Sequence, residues 1–228
     1  MLAPAPLPLI LFSGLGADAA IFAPQKIRFP QLIVPEWKRP QPNESLNHYC
    51  ERMAGSLSVT QPCVIGGASF GGIIALEIAK HLNPLAVLLI GSVQEPAHLP
   101  SHVQALRPLR GLVNWLPVSL FQQSAAPLGS RTGCRLAPHM GGLARQFSEA
   151  DRTVLRWSMR QLLTWSEPPV VTCPVYRIHG DRDRVLPLRG SPDVIVRGGG
   201  HVISLTHAGP VNAFIDHCLA KVSSSPPT

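Results

Sequence analysis

A serine set between glycines is the first feature of this sequence that indicates chemistry. Gly67-Ala68-Ser69-Phe70-Gly71 has the form G-x-S-x-G and stands between an apolar strand pattern and a helical one. In that setting the serine lies on a sharp turn, which lifts its oxygen above the sheet and beside the positive end of the following helix. The alternative is a glycine-rich turn that binds phosphate, but neither a lysine nor a G-x-G-x-x-G pattern follows here. We therefore predict that Ser69 is a nucleophile.

A serine hydroxyl is a weak nucleophile at neutral pH, so it needs a base, and the base needs a residue that orients it. Two later segments contain such residues in the chain order Ser, Asp, His. The first is the loop His179–Pro187, which holds Asp181 and Asp183, and the second ends in Gly199-Gly200-His201. Each segment follows a predicted strand, so the three side chains are expected at the same carboxyl edge of a sheet.

These motifs and their order resemble those of the α/β-hydrolase family, and the resemblance covers nearly the whole chain outside an arginine-rich insert. In that family the acid commonly lies in a G-x-x-D-x-x-x-P pattern, which Gly180, Asp183 and Pro187 match. The resemblance therefore implies Asp183 as the acid, with Asp181 as the first alternative. Some members place the acid after the preceding core strand, which makes Glu95 the second alternative.

The resemblance also implies the base and the groups that stabilise negative charge on the substrate. The base is His201, after its glycine run, with His207 in reserve. The backbone N–H donors of the oxyanion hole are expected at Phe70, directly after the nucleophile, and at Leu15, in the turn after the first strand. Many members have His-Gly at that turn, where this chain has Ser13-Gly14. An enzyme of this type uses no cofactor or metal, and we expect none.

The segments around these motifs alternate between strand and helix patterns. Apolar strands are predicted in segments 7–12, 31–34, 63–65, 85–90, 174–178 and 193–196. Their fully apolar character predicts a mostly parallel sheet of about six strands flanked by helices, which is the α/β class. The antiparallel hairpin that precedes the first strand in many members of the family is expected to be absent.

Helices are predicted where apolar residues recur at three- or four-residue spacing. The clearest examples run from about Gly71 to Leu82, from Asp151 to Trp165 and from Pro210 to Val222. A further helix is predicted after Asn43, which we expect to be its N-cap.

The chain is interpreted as a core with one insertion. Residues 1–92 and 170–228 form the α/β-hydrolase core, and residues 93–169 form a helical cap segment inserted over the ends of the strands. The apolar residues of the cap segment have two interpretations: they line a pocket for an acyl or alkyl group, or they only pack the cap onto the core. The residues concerned are Leu112, Val113, Trp115, Leu116, Phe121 and Trp157.

Positive charge is concentrated in the cap segment. The chain carries a formal net charge of +7, and eight arginines between Pro96 and Ser166 are opposed only by Glu149 and Asp151. The arginines are scattered and no lysine joins them, which matches a nucleic-acid-binding surface poorly. We interpret them as a solvated basic face or as a contact for an anionic substrate or partner. The eight are Arg107, Arg110, Arg131, Arg135, Arg145, Arg152, Arg156 and Arg160.

The remaining composition favours a protein of the reducing cytoplasm. The five cysteines are odd in number and widely spread without a C-x-x-C pair, so we expect buried thiols rather than disulfides or a zinc site. No run of about 20 apolar residues is present for a membrane span. The apolar start of the chain lacks a basic region and is interpreted as part of the fold, not as a signal peptide.

The sequence thus predicts a serine hydrolase that cleaves an ester or thioester of a small to medium acyl substrate through an acyl-enzyme intermediate. Because the same fold hosts other reactions, a carbon–carbon bond hydrolase is one alternative. A catalytically silent protein on this fold, binding an anionic ligand or partner, is another. The expected partner is a small acyl substrate; nucleic acid is not expected, and the oligomeric state is not predicted.

Overall fold

A six-stranded parallel sheet forms the centre of the molecule, which the computed structural model describes over residues 6–57, 59, 61–115, 117–130, 138–167 and 169–224. The strands are β1 (Leu9–Phe12), β2 (Leu32–Ile33), β3 (Val64–Ala68), β4 (Ala86–Ile90), β5 (Val175–Gly180) and β6 (Val194–Val196). Their order in the sheet is β2-β1-β3-β4-β5-β6, and every neighbouring pair runs parallel. The predicted α/β fold with about six strands is confirmed.

Strand β3 continues three residues beyond its predicted end, through Gly66 and Gly67. Both glycines keep the parallel register with β4, and a β-carbon on Gly66 would overlap the carbonyl oxygen of Leu88. The glycines therefore lie inside the strand because a neighbouring backbone excludes a side chain there. The turn itself begins only at Ser69.

Helices connect and cover the strands. The α-helices are α1 (Ala23–Arg28), α2 (Leu46–Ser56), α3 (Phe70–Leu82), α4 (Ser101–Ala105), α5 (Val118–Gly129), α6 (Pro138–Glu149), α7 (Arg152–Thr164), α8 (Ile203–Thr206) and α9 (Ala208–Ser224). Residues Ala19–Phe22, Pro96–His98 and Arg107–Trp115 are 3₁₀-helical. The three clearest helices predicted from spacing are confirmed as α3, α7 and α9.

The N-cap predicted for helix α2 is wrong by two residues. Ser45 caps the helix, and its Oγ accepts a hydrogen bond from the His48 N–H at 3.3 Å. Asn43 instead has a φ of 57° and lies in the turn before the helix. Asparagine and serine both suit an N-cap, but asparagine also tolerates the left-handed conformation that this turn requires.

Each face of the sheet is covered by its own hydrophobic cluster. Side chains of Ile10 and Leu89 point to one face, where helices α2, α3 and α7 cover them. Side chains of Leu11 and Leu88 point to the other face, which is covered by residues Ala19–Phe22 and helices α8 and α9. Since alternate residues of a strand point to opposite faces and both faces are covered, strands β1, β3 and β4 are buried along their whole length and contain only apolar residues and glycine, whereas β5 also contains Arg177 and His179.

The cap segment leaves the sheet after β4 and returns to it at β5, the neighbouring strand. Its helices α5 and α6 pack against each other, whereas Trp157 of α7 and Trp165 are buried in the cluster that contains α2 and α3. The indole N–H of Trp157 donates to the Glu44 carbonyl oxygen at 2.8 Å, and that of Trp165 donates to the Glu77 carboxylate at 3.1 Å. The last part of the cap segment is therefore packed into the core.

The described cysteines are free thiols, and three of them are buried as predicted. Cys50, Cys63 and Cys218 are buried, and Cys173 is half-buried. Burial raises the pKa of the Cys218 thiol to about 12. Cys134 and the first five residues of the chain lie outside the described residues. In the part of the chain that is described, no helix combines the length and the hydropathy needed to cross a membrane.

Candidate active site

Ser69 lies on the turn between β3 and α3, at the carboxyl edge of the sheet. Its backbone has φ 53° and ψ −125°, a strained conformation for a residue other than glycine, which surrounding contacts must hold. The Ser69 N–H donates to the Ile90 carbonyl oxygen at 3.2 Å, and the Ser92 hydroxyl donates to the Ser69 carbonyl oxygen at 2.6 Å. Both bonds join the turn to the end of β4 and hold the serine in place.

Two glycines make room for this turn. A β-carbon on Gly67 would overlap the backbone of Gly71, and one on Gly71 would overlap the carbonyl oxygens of Phe12 and Ser13 at the end of β1. The G-x-S-x-G spacing therefore has a physical cause, since a side chain is excluded at both glycine positions. The second contact also brings the turn after β1 close to the serine.

Three side chains form a hydrogen-bonded chain at this edge of the sheet. His201 Nε2 lies 2.9 Å from Ser69 Oγ, and His201 Nδ1 lies 2.8 Å from Asp183 Oδ2. We assign the ring proton to Nδ1, facing the carboxylate, so that Nε2 accepts the hydroxyl proton of Ser69. The loops after β5 and β6 are in close contact, as shown by the overlap that a β-carbon on Gly180 would make with the carbonyl oxygen of Gly199. The structure thus brings together the three residues predicted from the sequence.

The Asp183 carboxylate has no solvent exposure and is surrounded by hydrogen-bond donors. Its Oδ1 accepts from the N–H groups of Val185 and Leu186 at 2.8 and 2.9 Å, and its Oδ2 lies 3.4 Å from His179 Nε2. Burial by itself raises the pKa of Asp183, but hydrogen bonds from His179 and His201 outweigh it and hold that pKa well below its usual range. The ionised carboxylate is therefore suited to orient an imidazole and to stabilise its protonated form.

The two alternative acids have other partners. Asp181 Oδ1 accepts a hydrogen bond from the Gly198 N–H at 2.7 Å, which joins the loops after β5 and β6. In the first turn of the cap segment, Glu95 Oε1 lies 3.0 Å from His98 Nε2. The geometry therefore favours Asp183.

The reserve base lies away from this chain of side chains. His207 is half-buried, and its Nδ1 lies 2.9 Å from the Thr206 hydroxyl. Only His201 of the two histidines contacts both a serine hydroxyl and a buried carboxylate. The geometry therefore favours His201 as the base.

The turn after β1 lies directly against the serine. A β-carbon on Gly14 would lie 3.3 Å from that of Ser69, and Leu15 borders the same cavity as Ser69 and His201. Phe70 is the first residue of α3, so its N–H has no acceptor within the helix. Both predicted oxyanion-hole donors therefore belong to segments that adjoin the serine hydroxyl.

Ser13 stands where the resemblance led us to expect histidine, and its hydroxyl braces the turn. The hydroxyl donates to the Ala17 carbonyl oxygen at 2.8 Å and accepts from the Trp37 indole N–H at 2.8 Å. Trp37 in turn stacks on the Phe70 ring, with ring centroids 5.9 Å apart. These contacts fix both segments that border the serine.

A cavity of about 440 Å³ opens at Ser69 and His201. Its wall is mostly apolar and is formed by the turn after β1, the loops after β5 and β6, and helix α6. Phe147 of α6 covers Gly16, where a β-carbon would lie 2.6 Å from the phenyl ring. The larger apolar side chains of the wall are Leu15, Ile21, Ile90, Leu143, Phe147, Val185 and Val202.

The cap residues predicted to line a pocket do not border this cavity where they are described. Leu112 is exposed, Val113 is buried, and Trp157 packs on Tyr49 with ring centroids 4.2 Å apart. The pocket interpretation does not hold for these three residues at this cavity, and the packing interpretation holds for Trp157, which is buried in the core cluster. The side chains of Trp115, Leu116 and Phe121 lie outside the described residues. The cap wall of the cavity comes instead from α6, which the sequence analysis did not single out.

The cap arginines lie at the surface rather than in the cavity. Arg107, Arg156 and Arg160 are half-buried, and Arg110, Arg145 and Arg152 are exposed. None of these six borders the cavity at Ser69. Arg131 and Arg135 lie outside the described residues.

Three polar residues that support the site were missed in the sequence. Ser13 stabilises the turn after β1, Ser92 donates to the Ser69 carbonyl oxygen, and His179 contacts the buried Asp183 carboxylate. Ser13 and Ser92 lie just beyond the carboxyl ends of strands, and His179 is the next-to-last residue of β5. A polar residue at the carboxyl end of a buried strand was the signal that could have identified each of them.

The arrangement of hydroxyl, imidazole and carboxylate suits acyl transfer, in which the serine oxygen attacks a carbonyl carbon. Among the described residues, no three or more His, Cys, Asp or Glu side chains converge in a way that would hold a metal ion.

A family model and several solved structures are similar to this chain. The model described as "Alpha/beta hydrolase family" matches residues 9–214. No curated protein matches the chain in sequence. A thermophilic esterase from Thermogutta terrifontis is 17% identical, with a TM-score of 0.72 over 95% of this chain and 90% of that one.

Two further structures show the same degree of likeness. A carboxylesterase from the thaumarchaeon Nitrososphaera gargenis is 17% identical, with a TM-score of 0.71 over 96% of this chain and 92% of that one. The enol-lactonase from Burkholderia xenovorans is 14% identical, with a TM-score of 0.70 over 94% of this chain and 92% of that one. At such identities the likeness establishes a common fold.

Proposed function

The chain belongs to the α/β-hydrolase family, and we propose that it is a serine hydrolase that cleaves an ester or thioester through an acyl-enzyme intermediate. The observation that carries this proposal is the hydrogen-bonded chain from Ser69 through His201 to Asp183, with distances of 2.9 and 2.8 Å. Such a chain supplies a nucleophile, its base and the group that orients the base.

In the first half of the reaction, Ser69 Oγ attacks the carbonyl carbon of the substrate while its proton passes to His201 Nε2. Asp183 stabilises the imidazolium that forms, because its carboxylate is ionised and faces Nδ1. The imidazolium then gives the proton to the leaving alcohol or thiol as the carbon–oxygen or carbon–sulfur bond breaks. The acyl group stays on Ser69.

In the second half, water replaces the leaving group. His201 takes a proton from the water, the hydroxide oxygen attacks the acyl-enzyme carbonyl, and the proton returns to Ser69 Oγ as the acid product departs. The N–H groups of Leu15 and Phe70 donate hydrogen bonds to the oxyanion in both halves. Donors of this kind lower a barrier by about 3–4 kcal/mol each.

The apolar cavity at Ser69 supports a small to medium acyl substrate. A volume of about 440 Å³ with leucine, isoleucine, valine and phenylalanine side chains favours a hydrocarbon group over a charged one. The esterases and the lactonase of similar fold also act on acyl–oxygen bonds according to their descriptions, which favours an ester over a carbon–carbon bond.

Hydrolysis of p-nitrophenyl esters from acetate to laurate tests this function. We expect the wild-type chain to release nitrophenol with an optimum at a short or medium acyl chain. The Ser69→Ala variant is expected to lose at least about 10³-fold in kcat, because the nucleophile acts as one unit with its base. Ser101→Ala, at an exposed serine of the cap, is the matched control and should keep full activity.

Covalent labelling provides an independent reading. A serine-directed fluorophosphonate should label the wild-type chain once, and Ser69→Ala not at all. Equal hydrolysis by wild type and Ser69→Ala would refute the proposed nucleophile. If the wild-type chain shows no turnover and no labelling, the result would favour the alternative of a catalytically silent binding protein.

A further inference from the structure

Strand β6 forms one edge of the sheet, and among the described residues no strand pairs with its outer side. The Asp181 N–H donates to the Val196 carbonyl oxygen at 3.2 Å, so the backbone groups of Val196 face β5. Because the backbone groups of successive strand residues point alternately to the two sides, those of Ile195 face outward. The middle of β6 therefore presents an N–H and a carbonyl oxygen to whatever lies beside the sheet.

Apolar side chains are exposed along the same edge. Val194 is 36% exposed and Ile195 is 46% exposed, on opposite faces of the strand. Helix α9 packs mainly on β4 and β5, which leaves β6 at the margin of the helical layer. The β6 edge thus combines apolar side chains with outward backbone groups, and a further strand would cover both.

The opposite edge of the sheet is protected against such pairing. Strand β2 has only two residues, and Pro30 and Pro35 lie close to its two ends. Proline lacks the N–H that a strand ladder requires, so a second strand could not extend along β2 in either direction. No proline lies within β6 or directly beside it. The edge at β6 is therefore the one open to an incoming strand.

The two residues that flank β6 carry opposite charges. Asp193 precedes the strand and Arg197 follows it, and both are exposed. The Arg177 N–H donates to Asp193 Oδ2 at 2.7 Å, which holds this carboxylate at the edge of the sheet. When two copies of the strand pair antiparallel about Ile195, Asp193 of each copy lies opposite Arg197 of the other. Since opposite charges across a strand pair stabilise it and equal charges destabilise it, residues 193–197 are complementary to themselves.

We propose that the β6 edge binds the β6 edge of a second copy of this chain, so that the two sheets continue as one. The pairing is antiparallel and two-fold symmetric, and such an arrangement is closed after two copies. The two Ile195 residues exchange both of their backbone hydrogen bonds, and Val194 of each copy lies opposite Val196 of the other. Because the paired strands are short, the interface is small, and we expect a weak, reversible dimer.

Sedimentation velocity over a range of protein concentrations tests the proposal. The wild-type chain should change from monomer to dimer as its concentration rises. Ile195→Lys should weaken dimerisation by about tenfold or more, because apolar contact is lost and two lysines face each other across the two-fold axis. Ile33→Lys is the matched control, since Ile33 is 47% exposed on the opposite edge strand, and it should dimerise like the wild type. The readout is mass alone, so its failure is independent of the proposed hydrolase activity.

Charge reversal tests the register of the pairing. Asp193→Arg and Arg197→Asp should each weaken self-association, because each variant places equal charges opposite each other. An equimolar mixture of the two variants should form heterodimers, since every arginine at these positions then faces an aspartate. Asp193→Arg also removes the acceptor of the Arg177 N–H, but recovery in the mixture would not occur if that loss were the cause. Circular dichroism verifies that every variant is folded.

Three results would overturn the proposal. The first is a wild-type chain that stays monomeric at every concentration. The second is a dimer that Ile195→Lys does not weaken, or that Ile33→Lys weakens equally, which would place the contact elsewhere on the molecule. The third is a mixture of the two charge variants that associates no better than either variant alone, which would exclude the antiparallel register.

Discussion

A second histidine lies next to the carboxylate of the proposed triad. His179 is 1% exposed, and its Nε2 lies 2.8 Å from the Leu186 carbonyl oxygen and 3.4 Å from Asp183 Oδ2. The carbonyl oxygen requires the ring proton on Nε2, and that N–H also points toward the carboxylate. Asp183 therefore receives support from His179 and from two backbone N–H groups before His201 is counted. We interpret His179 as a positioning residue for the acid.

Removing the contact between His179 and Asp183 is expected to weaken catalysis and change its pH dependence. His179→Leu should lower kcat by about tenfold with little change in KM, since one hydrogen bond to a charged group is lost. The hydrogen bond from His179 lowers the pKa of Asp183, so its loss raises that pKa and activity should fall at a higher pH on the acid side. His179→Gln keeps a donor and should recover part of both effects. Steady-state kinetics over a range of pH provides the measurement, and an acid limb identical in all three proteins would contradict the role.

The two neighbouring aspartates give a direct comparison at the residue scale. Asp183→Asn should lower kcat/KM by about 10³- to 10⁴-fold, because the amide no longer fixes the histidine tautomer or stabilises its cation. Asp181→Asn should keep most of the activity, since Asp181 only accepts a hydrogen bond from the Gly198 N–H. Ester hydrolysis by the two purified variants measures both effects. The assignment of the acid is wrong if Asp181→Asn is the more damaging change.

The residues that the sequence revealed are those that belong to a short sequence motif. Ser69 and Asp183 were identified because a turn and a loop pattern mark them within a few positions. His179 and Ser92 were missed, because their importance comes from contacts with residues 4 and 23 positions away that bring no pattern of their own. The Ser13 hydroxyl was missed for the same reason, since its partner Trp37 lies 24 positions away.

At the scale of elements, the turn between β3 and α3 depends on how closely it approaches β1. Gly71→Ala should destabilise the protein by about 2–4 kcal/mol and lower activity, because the new β-carbon overlaps the carbonyl oxygens of Phe12 and Ser13. Gly55→Ala is the control within helix α2, where nothing lies within 4 Å of the added carbon. That substitution should stabilise the protein by up to about 1 kcal/mol, since alanine is the better helix former. Urea denaturation compares the two variants, and equal effects would argue against a steric cause at Gly71.

The strands were easier to predict than the ends of the elements. Mostly apolar runs identified all six strands, because the central strands of a parallel sheet are buried on both faces. The end of β3 was misplaced, since a glycine inside a strand and a glycine that begins a turn look alike in sequence. The beginning of α2 was misplaced because both Asn43 and Ser45 are suitable N-caps and only the backbone conformation distinguishes them.

At the scale of the whole molecule, Glu44 joins the core to the last helix of the cap segment. Its carboxylate is 4% exposed and forms a two-pronged pair with Arg52, at 2.7 and 2.8 Å. Its carbonyl oxygen accepts from the Trp157 indole at 2.8 Å and from the Gln161 amide at 3.3 Å. The cap segment and the core are therefore expected to unfold together, in one transition.

The pair with Arg52 also makes stability sensitive to acid. The hydrogen bonds from Arg52 lower the pKa of Glu44 in the folded protein, so their stabilisation is present above the usual glutamate pKa and is lost as pH falls through the folded value. Glu44→Gln should cost about 1.5–3 kcal/mol at neutral pH and progressively less below about pH 4. Glu51→Gln, at an exposed position of the same helix, should cost little at any pH. Urea midpoints followed by tryptophan fluorescence measure this; a penalty for Glu44→Gln that stays constant with pH would refute the ionic cause.

Because of where the cap segment is inserted, it can change in evolution without changing the residues proposed to act on the substrate. The chain leaves the sheet at the end of β4 and returns at β5, and these strands are neighbours. Helices α4 to α6 can therefore be lengthened, shortened or exchanged by recombination without altering the order or register of any strand. Those helices supply one wall of the cavity, but none of the three residues proposed to act on the substrate. Descendants of this protein can thus acquire new substrates by exchanging a single segment, while the residues proposed for the chemistry are inherited unchanged.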